Sequence, residues 1–178
     1  DEAIRRSTFI VARLPGASRV SEVWTASNYS YTSKSFRGPG FTLLGDAAVF
    51  MDPIWSTGVL LAMRSGELAA LTLVDGLKSG RPLHEDLFAG YETRFREWAG
   101  TYFRMIDAYY EPDFPLVIFN KRNPLGISDA VTRFLAGEVE LRWLDRQRLK
   151  LFYWLINAQK KWRFMKDPRP PEHQVSHL

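Results

Sequence analysis

A loop that contains glycine, aspartate and proline joins a short apolar run to a long apolar helix, and this junction most constrains the fold. The apolar run is FTLL, residues 41–44, and it ends in Gly45 and Asp46. Pro53 stiffens the loop, and from about Ser56 apolar residues recur with helical spacing. In α/β proteins, ligand crevices open where a strand ends beside a helix start. The junction therefore predicts a binding site for a polar ligand.

Both ends of this junction carry groups that can bind a ligand. Asp46 can accept hydrogen bonds from two neighbouring hydroxyl groups, as on a sugar or polyol, and Gly45 lets a ligand approach the backbone. Ser56, Thr57 and Gly58 begin a helix whose free N–H groups attract negative charge or a polarised carbonyl. Taken singly, Asp46 is typical of a turn and Ser56 of an N-cap. Their joint spacing favours the ligand site.

The order of predicted elements indicates an α+β fold. Residues 7–36 have the β-branched and alternating pattern of strands, and residues 41–44 are typical of a strand covered on both faces. Helices are predicted from about Ser56 to Gly80 and over His84–Tyr110, Leu116–Asn120, Ile127–Ala136 and Glu138–Met165. A few strands from the edge of a sheet thus precede a mainly helical region, with a boundary between 1–80 and 81–178.

Apolar spacing predicts which helical residues are buried. In the first helix these are Val59, Leu60, Met63, Leu68, Leu71, Val74 and Leu77. In the second they are Leu87, Tyr91, Phe95, Trp98, Tyr102, Met105 or Ile106, and Tyr109, a stripe that is expected in the core rather than in a substrate wall. In the last they are Leu141, Leu144, Leu151, Leu155 and Ile156.

Composition excludes several classes of protein. The 178 residues are 46% hydrophobic, enough for a buried core, and no apolar run approaches the roughly 18 residues that cross a bilayer. The absence of cysteine excludes disulfides and thiol chemistry and favours the cytoplasm.

The first residues, DEAIRRSTFI, contain neither an initiator Met nor a signal-peptide segment, which suggests the C-terminal portion of a longer protein or a processed piece. The three histidines, His84, His173 and His177, lack metal-site spacing.

Positive charge is concentrated near the end of the chain. Residues 142–169 contain nine Lys or Arg side chains, opposed by Asp145 and Asp167, so this segment carries +7 while the whole chain carries +4. Such a helix could face nucleic acid, an acidic membrane or an acidic protein, although a solvated face is the more ordinary explanation. Nucleic acid is the least favoured partner because no nucleic-acid motif accompanies the charge.

The GDAA turn and the following DPIWSTGV resemble the second flavin-binding motif of the FAD-dependent monooxygenase superfamily. The combination of DP, an aromatic residue and STG resembles the flavin-dependent halogenases, including their tryptophan and their phenol or pyrrole branches. NYSY, GPGFTLLGDAA and NPLGISDAVTRFLAGEV are more loosely similar to the same family. The resemblance implies a partial FAD/NAD(P)-binding-type fold.

The resemblance also implies roles for individual residues. Asp46 would hold a ribityl hydroxyl of FAD, while Gly45 and Ala47 let the flavin chain pass. Backbone amides from Ser56 to Gly58 would face the pyrimidine end of the ring, with Pro53 in the supporting loop. In the halogenases the amides at the Thr-Gly step also bind halide, and here that step is Thr57-Gly58.

Other parts of the family pattern are absent from this sequence. These are the G-x-G-x-x-G loop for the ADP part of FAD and the segment with the catalytic lysine and its tryptophan-containing signature; the contexts of Lys34, Lys78 and Lys121 do not replace it. The implied partners are therefore an N-terminal part of the same protein, a flavin reductase that supplies reduced FAD, halide, and a small aromatic substrate, free or tethered to a carrier protein. The chain alone is expected to be inactive.

Three functions follow from these observations. The first is halogenation of an electron-rich aromatic substrate by reduced FAD, O2 and halide. The second is flavin-dependent hydroxylation or dehydrogenation, because related enzymes share the Gly-Asp motif. The third is a non-catalytic helical binding module that uses the basic last helix. Trp143, Trp154 and Trp162 are candidates for the substrate wall, and the basic helix is a candidate docking surface for an acidic carrier protein.

Overall fold

The computed structural model describes residues 2–27, 29–82, 84–119 and 123–165. The described chain is mainly helical and contains a few very short strands, which agrees with the α+β prediction. The helices are α1 (Glu2–Arg6), α2 (Thr8–Val11), α3 (Gly58–Lys78), α4 (Ala89–Tyr109), α5 (Phe114–Ile118), α6 (Ile127–Leu135) and α7 (Trp143–Trp162). The strands are β1 (Tyr31–Thr32), β2 (Arg37–Gly38), β3 (Phe41–Thr42) and β4 (Val49–Phe50). Single 3-10 turns cover Gly45–Ala47, Pro53–Trp55, Glu85–Phe88 and Pro124–Gly126.

The strands form two separate antiparallel pairs. Tyr31 lies opposite Phe50 where β1 pairs with β4, and Arg37 lies opposite Thr42 where β2 pairs with β3. The prediction that residues 7–36 are mostly strand is wrong, because α2 occupies Thr8–Val11 and, among the described residues of 7–36, only Tyr31 and Thr32 belong to a strand. Ser7 caps α2 by accepting a hydrogen bond from Ile10 N at 3.3 Å, which favours the helical start.

The run at 41–44 is not covered on both faces, contrary to the prediction. Phe41 is 51% exposed and Leu44 is also exposed. The reason is that β3 extends over only two residues and pairs with β2 alone within the described chain. The ring of Phe41 instead lies over Gly38, where a β-carbon would come within 2.4 Å of it.

Helix α3 is confirmed, but its predicted buried face is mostly wrong: Leu60 and Leu68 pack against the core, whereas the other five predicted residues are exposed. Val59 and Met63 are 72% and 70% exposed, and Leu71, Val74 and Leu77 also face outward. The residues that face inward are mostly small and comprise Leu61, Ser65, Ala69 and Gly76. Small side chains let neighbouring segments approach the helix closely: a β-carbon on Gly76 would lie 2.7 Å from Leu87 Cδ1. The buried face of α3 is therefore determined by close packing against neighbouring segments, and not by which face carries the most large apolar residues.

Helix α4 forms the centre of the core, and its aromatic stripe is buried as predicted. Tyr91, Phe95, Trp98 and Tyr102 are all at most 9% exposed, although Tyr109 at the end of the stripe is half-exposed. The Tyr102 ring stacks on Phe134 of α6 at 4.3 Å between centroids. The core also contains residues from either side of position 80, such as Leu61 and Phe95, and the boundary at 80 stays a prediction.

The last three helices are confirmed with shifted bounds. Helix α5 begins and ends slightly earlier than predicted, α6 ends one residue earlier, and α7 is shorter at both ends. Leu141 is buried ahead of α7, whereas Leu144 is half-exposed and does not belong to the core. Lys121 and the stretch 166–178, which includes Asp167, Arg169, His173 and His177, lie outside the described residues.

A charged network fastens the segment of β1 and β2 to α4. Glu92 accepts hydrogen bonds from Phe36 N at 3.2 Å and from Arg37 Nε at 3.2 Å. Arg96 Nη2 donates to Glu92 Oε1 at 2.7 Å and to Lys34 O at 2.8 Å. Burial raises the pKa of Glu92, but the hydrogen bonds from Arg96 and Phe36 and the nearby positive charges lower it further, so the net shift is downward. The network holds the strands that precede the Gly-Asp turn.

Within the described residues no helix is long and apolar enough to cross a membrane.

Candidate functional site

The Gly-Asp turn is packed directly onto helix α3. Gly45 adopts φ +49° and is buried, and a β-carbon there would lie 2.9 Å from Ala62 Cβ. Its N–H donates to Ser65 Oγ at 2.9 Å, and Ser65 Oγ in turn donates to Ala62 O at 3.0 Å. Glycine is therefore required at position 45 because a side chain would collide with α3. This requirement is separate from the predicted approach of a ligand to the Gly45 backbone.

The carboxylate of Asp46 lies beside the first turn of α3. A β-carbon placed on Gly58 would be 3.8 Å from Asp46 Oδ1. Asp46 and its neighbour Ala47 are both exposed, so the carboxylate is accessible from solvent. The fold therefore brings together the two groups that the sequence singled out, a hydroxyl acceptor and a helix start.

The start of α3 has free amide groups. Its first intrahelical hydrogen bond runs from Leu61 N to Thr57 O at 3.0 Å, so the N–H groups of Gly58, Val59 and Leu60 have no acceptor within the helix. Thr57 is buried and makes no capping bond; its hydroxyl contacts Met51 Sδ at 3.7 Å instead. Gly58 and Val59 are themselves exposed residues, so this helix start lies at the protein surface.

Ser56 is exposed and adopts the left-handed conformation, with φ +52°. A non-glycine residue in this region carries backbone strain, and such residues concentrate at functional sites. Ser56 ends the Pro53–Trp55 turn and accordingly is not the N-cap of α3; Thr57 occupies that position.

Two polar groups hold or border the loop before α3. Asp52 accepts a hydrogen bond from Ile54 N at 2.9 Å and one from the Tyr110 hydroxyl at 2.7 Å, which ties the loop to the end of α4. The Trp55 ring packs edge-on against Tyr109 at 5.1 Å. The buried Trp55 Nε1 has no hydrogen-bond partner within the described part of the chain. A buried donor without a partner is unfavourable, so an acceptor that reached Trp55 Nε1 would be stabilised.

Comparison with known proteins finds similar flavin-dependent halogenases. No protein-family model matches the chain. A 1H-pyrrole-2-carbonyl-[peptidyl-carrier protein] chlorinase from Pseudomonas fluorescens is 28% identical over 83% of this chain and 33% of its own length. A tryptophan 2-halogenase from Chondromyces crocatus is 36% identical over 55% of this chain and 19% of its own. A flavin-dependent halogenase from Acremonium egyptiacum is 40% identical over 43% of this chain and 15% of its own.

The chain is related to the flavin-dependent halogenases. It spans about a third or less of the length of these relatives. The cofactor that this relationship implies is a flavin, FAD.

Of the seven residues predicted for the flavin site, the structure places Asp46 close to Gly58, and it leaves five exposed and two buried. Asp46, Ala47, Pro53, Ser56 and Gly58 are exposed, whereas Gly45 and Thr57 are buried. A polyol such as the ribityl chain fits an exposed carboxylate, and the open amides at Gly58 and Val59 fit a carbonyl or an electron-rich ring edge. Among the described residues there is no group of His, Cys, Asp or Glu side chains that could hold a metal ion.

The same geometry restricts the predicted halide position at Thr57 and Gly58. An anion bound at the Gly58 amide would lie close to the Asp46 carboxylate, and like charges at this range repel one another. Hydroxyl binding at Asp46 is consequently better supported than anion binding at Gly58.

Supporting groups beneath the turn were not identified from sequence. Tyr31 donates from its hydroxyl to Asp46 O, and Ser33 Oγ donates to Ala47 O at 3.1 Å. The Tyr91 hydroxyl donates to Leu43 O at 2.6 Å, and burial raises the pKa of Tyr91 to about 12, so it remains a donor at neutral pH. Ser65 carried no usable signal in the sequence, because the inward face of α3 on which it lies is not the face that the large apolar residues predict.

Replacing Ser65 with alanine tests the packing of the turn on α3. The substitution leaves the buried Gly45 N–H without an acceptor, and we expect the free energy of unfolding to fall by about 1–3 kcal/mol in a urea titration. Ser79→Ala is the matched control, since Ser79 is exposed at the other end of α3 and is expected to change stability by less than about 0.5 kcal/mol. Equal effects of the two substitutions would contradict the proposed hydrogen bond.

Proposed function

We propose that the Gly-Asp turn and the start of α3 bind FAD, and that the protein is a flavin-dependent halogenase acting on an electron-rich aromatic substrate. Asp46 accepts hydrogen bonds from the ribityl hydroxyls, and the amides at Gly58 and Val59 face the pyrimidine end of the flavin ring. The observation that supports this most directly is the position of the Asp46 carboxylate beside Gly58. The relationship to named halogenases supports the reaction class.

The chain's own residues bind and orient the cofactor in this proposal. Bound flavin supplies the redox chemistry with O2 and halide. The positive end of the α3 dipole favours electron density at the nearby ring edge. The Gly45–Ser65 hydrogen bond holds the turn on α3, and the Tyr91 hydrogen bond to Leu43 O ties the residues before the turn to α4, so the carboxylate and the amides act on one ligand. Halide at Thr57 and Gly58 belongs to the same proposal, although the nearby Asp46 carboxylate carries a charge of the same sign and disfavours it.

Several partners complete the proposed reaction. They are a flavin reductase, the remaining N-terminal part of the protein with the catalytic lysine, and a small aromatic substrate. One relative is named for a pyrrole carried on a peptidyl-carrier protein, so a carrier-tethered substrate is included. A flavin hydroxylase on the same scaffold is the second candidate, because the Asp46 and Gly58 arrangement would serve either reaction.

Product analysis of the protein made from its whole gene distinguishes these reactions. With reduced FAD, O2 and chloride or bromide, we expect a halogenated aromatic product, and Asp46→Ala should weaken FAD binding by about 10–100-fold through loss of a charged hydrogen-bond acceptor. Asp75→Asn, an exposed aspartate near the far end of α3, is the control and should bind FAD normally. A hydroxylated product without halogen would overturn the halogenase proposal while leaving the flavin site intact.

A further inference from the structure

A cavity of about 390 Å³ lies between α4 and α7, away from the Gly-Asp turn. Its walls are formed by one face of α4 between Arg94 and Arg104, by the loop 139–141, and by one face of α7 between Arg146 and Tyr153. Its volume is in the range of sites that bind small molecules. Trp98, which is largely buried, and Leu149 provide apolar surface inside it.

Three cations in this cavity have no carboxylate partner among the described residues: Arg104, Arg146 and Lys150. Arg146 Nε donates to Leu141 O at 3.0 Å, which fixes its guanidinium at the cavity wall and leaves its terminal N–H groups for another acceptor. Arg94 pairs with Glu140, and Glu97 is the second acidic group in the wall. Cations therefore outnumber carboxylates four to two in the cavity lining.

Tyr153 adds an unsatisfied donor to the same wall. Its hydroxyl is buried and has no hydrogen-bond partner in the described part of the chain. Burial raises the pKa of Tyr153 to about 12, against a smaller lowering by Arg104, so the hydroxyl is protonated at neutral pH. A buried unpaired hydroxyl is unfavourable, and an acceptor bound in the cavity would remove that cost.

The surroundings strengthen the positive field. Asp145, the acidic residue of α7, is buried and accepts hydrogen bonds from Arg133 at 2.6 Å and Arg148 at 3.0 Å. The charge of Asp145 is therefore neutralised by these two arginines. The exposed ionisable residues of α7 are all basic: Arg146, Lys150, Lys160 and Lys161. Lys160 alone among them pairs with an acid, Glu111, within the described residues. The excess of cations over carboxylates in the cavity lining raises the local concentration of anions.

We propose that this cavity binds an organic oxyanion, with its charged end against Arg104, Arg146 and Lys150 and its apolar body against Trp98 and Leu149. Carboxylates and phosphate esters share the chemistry that these groups recognise, because guanidinium and ammonium donors bind both. The site is distinct from the flavin proposal, since it shares no residue with the Gly-Asp turn or the start of α3.

Titration of the full chain with phenyl phosphate, benzoate and inorganic phosphate, followed by calorimetry, tests the site. We expect phenyl phosphate or benzoate to bind more tightly than inorganic phosphate because the ring adds apolar contact at Trp98. Arg104→Met and Lys150→Met should each weaken binding by about tenfold, through loss of a charge-assisted hydrogen bond. The tighter of the two aromatic ligands identifies whether carboxylate or phosphate is the preferred group.

Two further variants make the result decisive. Lys161→Met removes an exposed cation of α7 that does not line the cavity and should leave binding unchanged. Tyr153→Phe removes only the hydroxyl, and we expect weaker binding with no loss of thermal stability because the hydroxyl has no partner to lose. Absence of binding by all three ligands, equal weakening by Lys161→Met, or unchanged binding in both Tyr153→Phe and the folded Met variants would overturn the proposal.

Discussion

Replacing Phe95 with alanine is expected to lower the free energy of unfolding by about 3–5 kcal/mol, the usual cost of removing a buried phenyl ring. Phe95 is fully buried on α4 and its ring contacts those of Phe36 and Tyr91, at 5.5 and 6.0 Å between centroids. Phe36 belongs to the segment that leads to the Gly-Asp turn, so the substitution also loosens the base of the site. Urea denaturation followed by circular dichroism measures the change. A domain of this size has only about 5–15 kcal/mol of stability, so the shift is a large fraction of the total.

Phe119→Ala is the matched control for that measurement. Phe119 follows α5 and is 76% exposed, so its removal should change the free energy of unfolding by less than about 0.5 kcal/mol. If Phe95→Ala costs less than about 1 kcal/mol, or if the two substitutions cost the same, the packing of α4 against the strand segment is wrong.

Replacing Gly45 with alanine is expected to cost about 2–4 kcal/mol, from two separate effects. The residue has φ +49°, which disfavours any β-carbon, and the new methyl group would lie 2.9 Å from Ala62 Cβ. The turn must then move away from α3, which separates the Asp46 carboxylate from Gly58. We therefore expect FAD binding to be lost together with stability, and a thermal melt with and without FAD measures both.

Gly40→Ala separates the two effects. Gly40 also has a positive φ, +76°, but no atom lies within 4 Å of the position of a new β-carbon. Its substitution should cost only the conformational part, about 1 kcal/mol. An equal loss of stability for Gly40→Ala and Gly45→Ala would show that the contact with Ala62 contributes nothing.

The helical half of the fold was accessible from sequence because its signal is local. In α4 the large side chains Tyr91, Phe95, Trp98 and Tyr102 recur three or four positions apart, and the same side chains fill the core. In α3 the large apolar residues predicted the wrong face. The inward face is selected by contacts with Gly45 and Leu87, which are distant in sequence and visible only in three dimensions.

The strand region was predicted less well for a related reason. β-branched residues such as Thr8, Ile10 and Val11 have strand propensity, but the Ser7 cap and the absence of a pairing strand in the described chain leave a helix there. Strand propensity is expressed only when a partner strand and a buried face are available.

The candidate site was predictable in outline but not in its supports. The order of the Gly-Asp turn, the Pro-containing loop and the helix start anticipated that Asp46 and Gly58 act together, and the structure brings them close. The hydrogen bonds from Tyr31, Ser33 and Tyr91 to the turn could not be anticipated, because each joins residues whose separation in sequence carries no pattern.

The most direct measurement of the flavin proposal is a titration of the isotopically labelled chain with FAD, followed by amide chemical shifts, which also detects weak binding. We predict that the largest shifts occur at Ala47, Gly58 and Val59, that Asp46→Ala raises the FAD concentration needed to produce them by about 10–100-fold, and that Asp75→Asn leaves them unchanged. Shifts confined to the cavity between α4 and α7, or none at the turn and the start of α3 at any FAD concentration, would contradict it.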